Sequence, residues 1–337
     1  MVSDDRATTY RADALSRFIG SERPDSEELG LCVHCGFCLN ACPTYLDLGI
    51  EGDSPRGRLY LMRALDEGRV DWTPRVQEHF DQCLQCRACE TACPSGVPYG
   101  RLMEATRAEM HQQRRRSRRY RLIWYLVMRG IFPRPRRLRA AFYGLQLYQR
   151  SGLQSLLRRS HLLDRLAPSL ARIEALSPQL DAAFFRTSDV QRYHPRDPQR
   201  GRVAMLTGCI MPLSFPRTHH ATARVLSRNG VEVTAPAAQV CCGALHAHGG
   251  DVEASRDLAR KNIDAFLAPD PDGATPDAIV VNSAGCGSHM KEYAHLLRDD
   301  PNYAAKAERF QDLVRDVHEY LVDIGFDAPQ GKLDRSV

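Results

Sequence analysis

Cysteine spacing constrains this chain more than any other feature. Cys32, Cys35, Cys38 and Cys42-Pro43 read C-x2-C-x2-C-x3-C-P, and Cys83, Cys86, Cys89 and Cys93-Pro94 repeat the pattern 51 residues later. Three thiolates two residues apart can wrap a tight turn onto one face of a cubane iron–sulfur cluster. The fourth points away and, in two-cluster ferredoxins, ligates the other cluster. The spacing predicts one [4Fe–4S] centre on Cys32, Cys35, Cys38 and Cys93, and a second on Cys83, Cys86, Cys89 and Cys42. The proline breaks the chain just after the crossing ligand. Zinc is the competing reading, but zinc sites use pairs of cysteines and have no role for a third in step or a trailing Cys-Pro.

The other four of the twelve cysteines fall between residues 209 and 286. The N-terminus starts acidic and carries no apolar h-region, and no stretch is apolar enough to span a bilayer. The expectation is a cytoplasmic chain, at most peripheral on the inner face of the membrane, whose thiols serve metals or redox chemistry rather than structural disulfides.

Forty residues separate Cys42 from Cys83, too many for a short ferredoxin hairpin. Pro55 opens a run with apolar residues at 59, 62 and 65 on one helical face. Thr73-Pro74 makes an N-cap and N1 pair, with Val76 and Phe80 one turn apart. The cluster domain is therefore expected to be helical, with walls of low dielectric around the cysteines.

From Met110 to Leu163 there are fourteen arginines and no acidic residue, so the rest of a chain whose net charge is only +5 is acidic on balance. Six of these arginines lie in the eight residues from Arg114 to Arg121, followed by LIWYLVM. The choices are a solvated helix covering apolar surface with its cationic stems, a partner or anionic membrane contact, and a nucleic-acid backbone. Nucleic acid is disfavoured because no recognised module accompanies the arginines.

In the last third, RVAMLTG (202–208), VEVT (231–234) and AIVVNSAGCG (278–287) read as strands, the last entering a turn at Ser283-Ala284-Gly285. Helices are expected over 215–229, ending at Asn229-Gly230, and after Asp251. Alternating strands and helices imply parallel βαβ units. Cys209, Cys241, Cys242 and Cys286 then all follow strand ends, where open α/β sheets bind ligands. They form the candidate for an additional metal, cluster or redox site. His246, His248 and His289 lie nearby in sequence and read first as hydrogen-bonding residues.

Taken together, the paired motifs in a helical domain and the later Cys241-Cys242-Gly243 resemble the iron–sulfur subunits of glycolate oxidase (glycolate dehydrogenase). The resemblance extends to Asp53-Ser54-Pro55-Arg56-Gly57-Arg58, Gly208-Cys209, Ser283-Ala284-Gly285-Cys286-Gly287, Lys291-Glu292-Tyr293 and His295 to Pro301. It implies an electron-transfer subunit that takes electrons from FAD-binding glycolate oxidase subunits, which turn glycolate into glyoxylate, and passes them toward a quinone-type acceptor. Flavin and catalytic residues are expected on the partner: no G-x-G-x-x-G follows a strand here. Such subunits usually carry a second CCG repeat, which this sequence lacks, and His289 stands where the repeat's last cysteine would fall. A fragment, a truncation or a split gene product is the expectation at that end. D-lactate and glycerol 3-phosphate dehydrogenase subunits share the plan and stay open as alternatives; a zinc-stabilised nucleic-acid-binding protein is a distant one.

The expected fold class is α+β multidomain. After a tail over 1–21 comes an α-helical two-cluster ferredoxin-like domain (22–109), then a basic helical connector (110–199). A cysteine-rich CCG domain with a short parallel sheet (200–325) and a tail over 326–337 complete the chain.

Overall fold

The computed structural model describes residues 16–114, 116–269, 273–327 and 331. Most of both expected tails, and Arg115 within the arginine run, lie outside them. The chain divides into two compact units. One is the N-terminal stretch to Arg116 with the segment Leu245–Val252; the other is Ser117–Ala244 with Glu253 onward.

The first unit is helical, as expected: α1 (Ser26–Gly30), α2 (Pro43–Leu48), α3 (Pro55–Asp66), α4 (Pro74–Asp81), α5 (Ala88–Thr91) and α6 (Tyr99–Gln113). Asp25, Ser54 and Thr73 cap α1, α3 and α4 by accepting from backbone N–H groups of the first turn. Proline occupies the first position of α2, α3 and α4, where its fixed φ suits the helix and its missing N–H costs nothing. Leu59, Met62 and Leu65 of α3 meet Val76 and Phe80 of α4 and Leu102 and Met103 of α6 in one core. Cys83 and Cys89 belong to the same core, and Cys32, Cys38 and Cys93 pack against it.

Glu109 on α6 is fully buried, and its Oε2 accepts from the backbone N–H groups of Ile19 (2.9 Å) and Gly20 (3.0 Å). The segment Leu245–Val252 is held on α6 by Arg107, whose Nη1 donates to the His248 carbonyl at 3.0 Å, and by Glu104, 2.9 Å from His248 Nδ1.

The second unit begins with helices at Arg118–Trp124, Pro135–Arg150, Leu153–Ser160, Leu162–Leu166 and Pro168–Ala175, the first three of them basic, with a π-helical stretch at Tyr125–Ile131. Leu122, Ile123 and Leu126 are exposed there among the arginines. No helix of the described residues is long and apolar enough to cross a membrane.

An all-parallel sheet follows, β1 (Gly201–Met205), β2 (Val231–Thr234), β3 (Ala278–Val281) and β4 (Val314–Asp316), in the order β2-β1-β3-β4. Alternation along β1 sends Ala204 into one core, with Ile279, Leu258 and Phe266, and sends Val203 and Met205 into another, with Val231, Val280 and Val317. Helices therefore cover both faces, as a parallel sheet requires. The strand over VEVT and the helix Pro216–Arg228, ending at Asn229 and Gly230, match the sequence expectation.

Two details differ. The third strand stops at Val281, and residues Ala284–Met290 are a helix rather than a turn, so Cys286 sits on a helical turn. The fourth strand, Val-Arg-Asp at 314–316, carries no alternation to announce it.

Candidate functional site: paired cysteine cavities and a thiol row

The two cysteine motifs adopt matching loops. In the first, His34 (φ 56°) and Gly36 (φ 85°) are left-handed; in the second, Gln85 (φ 54°) and Arg87 (φ 59°) stand at the corresponding positions 51 residues on. Left-handed backbone at non-glycine residues is costly and is held only by surrounding structure. Such turns gather backbone N–H groups into concavities suited to anions. Arg87 is fixed by Glu90 at 2.7 Å.

Two cavities result. The first is lined by Cys32, Cys35, Cys38 and, from the other motif, Cys93, with Cys89 also reaching its wall. The second is lined by Cys83, Cys86, Cys89 and, from the first motif, Cys42. Each cavity thus brings together three cysteines in step and the Cys-Pro cysteine of the opposite copy, the grouping expected from the spacing. Pro55 and Tyr99 line both.

Cys42, Cys83 and Cys89 are buried, whereas Cys35 and Cys86 are exposed at the rims. Burial pushes the Cys38 and Cys89 thiols up, and neighbouring cysteines add to the rise. Among the described residues no three His, Cys, Asp or Glu side chains stand close enough to hold a single metal ion. The cavities suit a larger thiolate-bound cage, and the donor set is all sulfur.

The Asp53 to Arg58 motif is the frame between these loops. Ser54 caps α3 through Gly57 N–H at 3.0 Å, and a Cβ on Gly57 would lie 1.9 Å from the Glu51 carbonyl oxygen. Arg58 is buried beside the second cavity, its Nε donating to the His79 carbonyl at 2.7 Å and its two terminal nitrogens to Thr44 Oγ1 at 3.2 Å. Asp53 accepts from His79 Nδ1 at 2.9 Å. The sequence alone does not single out Thr44, His79 or Tyr99, because their roles come from contacts across α3 and α4.

In the second unit Cys209 follows β1, Cys241 and Cys242 follow β2, and Cys286 follows β3. The order β2-β1-β3 reverses direction at β1, the kind of switch point where α/β sheets bind ligands. The thiols form a hydrogen-bonded row, Cys209 to Cys241 to Cys242 to Cys286. Hydrogen bonding to Cys241 and burial raise Cys209. Bonds to Cys241 and Cys286, with burial, raise Cys242. Cys286 is lowered, because Cys242 and Ser283 donate to it.

Gly243 explains the third letter of Cys-Cys-Gly: its φ is 92°, and a Cβ there would sit 2.7 Å from Ser255 Oγ. The Cys241 carbonyl accepts from Asn262 Nδ2 (3.0 Å) and the Cys242 carbonyl from the Tyr293 hydroxyl (2.6 Å). Asn262 went unread in the sequence; its signal is an amide on an otherwise apolar helix face. His289 Nε2 meets Ser255 Oγ at 2.9 Å, the hydrogen-bonding role expected of it, and His248 Nδ1 lies 2.9 Å from Glu104 Oε1 as an ion-pair contact.

The comparisons with known proteins agree with these features. Residues 28–97 match a family model described as 4Fe-4S dicluster domain, 203–291 a cysteine-rich domain, and 119–177 the linker region of the glycolate oxidase iron–sulfur subunit. A Bacillus subtilis (strain 168) protein, "Probable glycolate oxidase iron-sulfur subunit", is 40% identical over 311 residues, covering 90% of this chain and 68% of that one. The chain belongs to the glycolate oxidase iron–sulfur subunit family. The Escherichia coli (strain K12) "Glycolate oxidase iron-sulfur subunit" is 38% identical over 295 residues, 87% of this chain and 65% of that one. This family member thus spans about two thirds of those relatives' length. A "Lactate utilization protein A" of Bacillus cytotoxicus is 30% identical over 123 residues, 36% of the chain and 48% of that protein. No solved structure matches. The likeness expected from the motifs is therefore borne out, as is the α+β architecture of ferredoxin domain and CCG domain.

Proposed function

We propose that this chain is the electron-transfer subunit of a glycolate-oxidising complex and carries two [4Fe–4S] clusters. Cys32, Cys35, Cys38 and Cys93 would hold one, and Cys83, Cys86, Cys89 and Cys42 the other. The observation that carries the reading is the crossed lining of the two cavities, three thiols from one motif and the Cys-Pro thiol from its copy. Each cluster, when bound, supplies a one-electron relay. The chain's own residues supply the thiolates, the left-handed turns that aim N–H groups at a bound anion, and a helical jacket that excludes water. Cys35 and Cys86, exposed at the rims, give each site an edge from which electrons can enter or leave.

Substrate oxidation belongs, in this reading, to a flavin-bearing partner, with a quinone-type acceptor downstream. The arginines and exposed apolar residues of the connector support peripheral contact with an anionic membrane face. The thiol row of Cys209, Cys241, Cys242 and Cys286 would serve as a further cluster or redox site. The partial likeness to a lactate utilization protein favours a second reading, the same relay serving a lactate-oxidising partner.

Anaerobic purification with iron and acid-labile sulfide analysis tests the clusters: about eight of each per chain are expected, more if the thiol row also holds iron. Colourless protein containing zinc would overturn the proposal. Assay of the co-purified flavoprotein on glycolate and on D-lactate tests the substrate, and activity on lactate alone would select the second reading.

A further inference from the structure

The cavity lined by Cys42, Cys83, Cys86 and Cys89 has a neighbour that the other lacks. Arg58 lines it with a side chain only 1% exposed. A guanidinium keeps its charge throughout the pH range in which proteins fold, so a full positive charge is held against this cavity away from water. Its counter-ion Asp53 lies 3.6 Å off and is not part of the cavity wall, so the pair turns its cationic end to the thiols. Hydrogen bonds converge on the same sulfurs. The Tyr99 hydroxyl donates to Cys83 Sγ at 3.5 Å, the Gln85 N–H does so at 3.4 Å, and Thr44 Oγ1 lies 3.2 Å from Cys42 Sγ.

The first cavity has Arg56 instead. That side chain is 31% exposed and forked onto Glu51 at 2.7 and 3.3 Å, so solvent and a carboxylate cancel most of its field. Net charge and hydrogen bonds to sulfur are two of the levers that set a cluster's potential, and both favour added negative charge at the second site. Burial of its thiols opposes added charge, but the same burial leaves the Arg58 charge unscreened.

We infer that Arg58, with Tyr99, is a potential-setting residue that holds the second centre at a higher reduction potential than the first. The inference rests on the two-cluster reading above. With both clusters bound, Arg58 and Tyr99 would favour the one-electron-reduced form of the second centre over that of the first. Arg58 keeps its charge, so no proton needs to follow.

The test is an EPR-monitored redox titration of the full chain, purified anaerobically with its clusters. Cys86→Ser identifies the spectral component of the second centre. In the wild type that component has the higher midpoint. Arg58→Gln lowers this midpoint alone, cutting its reduced-to-oxidised ratio at fixed poise about tenfold, which is about 59 mV for one electron. Arg58→Lys restores most of it, and Tyr99→Phe gives a smaller drop in the same component.

A Cys86-sensitive component at the lower midpoint in the wild type overturns the inference. So does an Arg58→Gln protein with both clusters and neither midpoint moved, or both moved equally. If Arg58→Gln does not fold, the wild-type order and Tyr99→Phe decide. Failure of the underlying reading looks different: the wild type would lack eight irons or show a single component.

Discussion

His219 Nε2 donates to the carbonyl oxygen of Thr207 at 2.9 Å, from a ring fully shielded from solvent. Its Nδ1 accepts from Asn282 Nδ2 at 3.1 Å, the tautomer that both partners require. Thr207 follows β1 two residues before Cys209, and Asn282 follows β3 just before the helix bearing Cys286. One neutral imidazole thus ties together the strand ends that carry two of the four thiols.

Burial holds this imidazole down at about 4 from its ordinary 6.5, against the opposing pull of the Thr207 hydrogen bond. Above pH 6.5 the group is neutral folded or unfolded and adds no pH dependence. Between 6.5 and about 4 the unfolded chain takes up a proton that the folded chain refuses, so stability falls as pH falls. The loss through this one group should reach on the order of 3 kcal/mol. Urea unfolding from pH 7.5 to 4.5 should show the decline, and His219→Gln should flatten it by that amount. An unchanged slope in the variant would remove His219 as its cause.

Gly57 and Gly49 should respond very differently to alanine. At Gly57 the new Cβ would meet the Glu51 backbone oxygen at 1.9 Å, so α3 must shift away from the loop that carries Asp53. A cost of about 3 kcal/mol is expected, with loss of iron from the second site. Gly49 has open space but a φ of 65°, so Gly49→Ala should cost only about 1 kcal/mol and retain iron. Thermal unfolding and iron analysis on the two variants check this; equal effects would contradict the packing argument.

Arg107 Nη2 donates to the carbonyls of Phe80 at 2.8 Å and Cys83 at 2.6 Å, while Nη1 holds His248. Arg107→Met removes the donors and strands those carbonyls. About 2 to 4 kcal/mol of destabilisation is expected. Hydrogen exchange should rise first in residues 245–252 and around Cys83. Uniform exchange across the unit would show that Arg107 acts only on global stability.

Much of this was legible in the sequence because local rules carried it. The spacing of the eight motif cysteines announces two matching loops, and α3 and α4 are set by Ser54, Thr73 and their prolines before any tertiary contact. What stayed hidden depends on distant partners. Arg58 and Asp53 read only as part of a family signature, since their burial arises from α4 and Thr44. His248 finds Glu104 across more than a hundred residues of chain. The helix at Ala284–Met290 reads as a turn because two glycines disfavour helix; a Cβ at Gly287 would meet Val281 only at ordinary contact distance. Strand β4 is three residues ending in two charged side chains, and its pairing with β3 supplies what its own sequence lacks.

The crossed pairing of the motifs is the central claim, and single-cysteine variants test it most directly. Cys35→Ser, Cys93→Ser, Cys86→Ser and Cys42→Ser would each be purified anaerobically and examined by iron analysis and EPR. Cys93→Ser should alter the same spectral component as Cys35→Ser, and Cys42→Ser the same one as Cys86→Ser, with each loss reaching about four of eight irons. If Cys93→Ser instead matched Cys86→Ser, each motif would be serving its own cluster and the crossed arrangement would be contradicted.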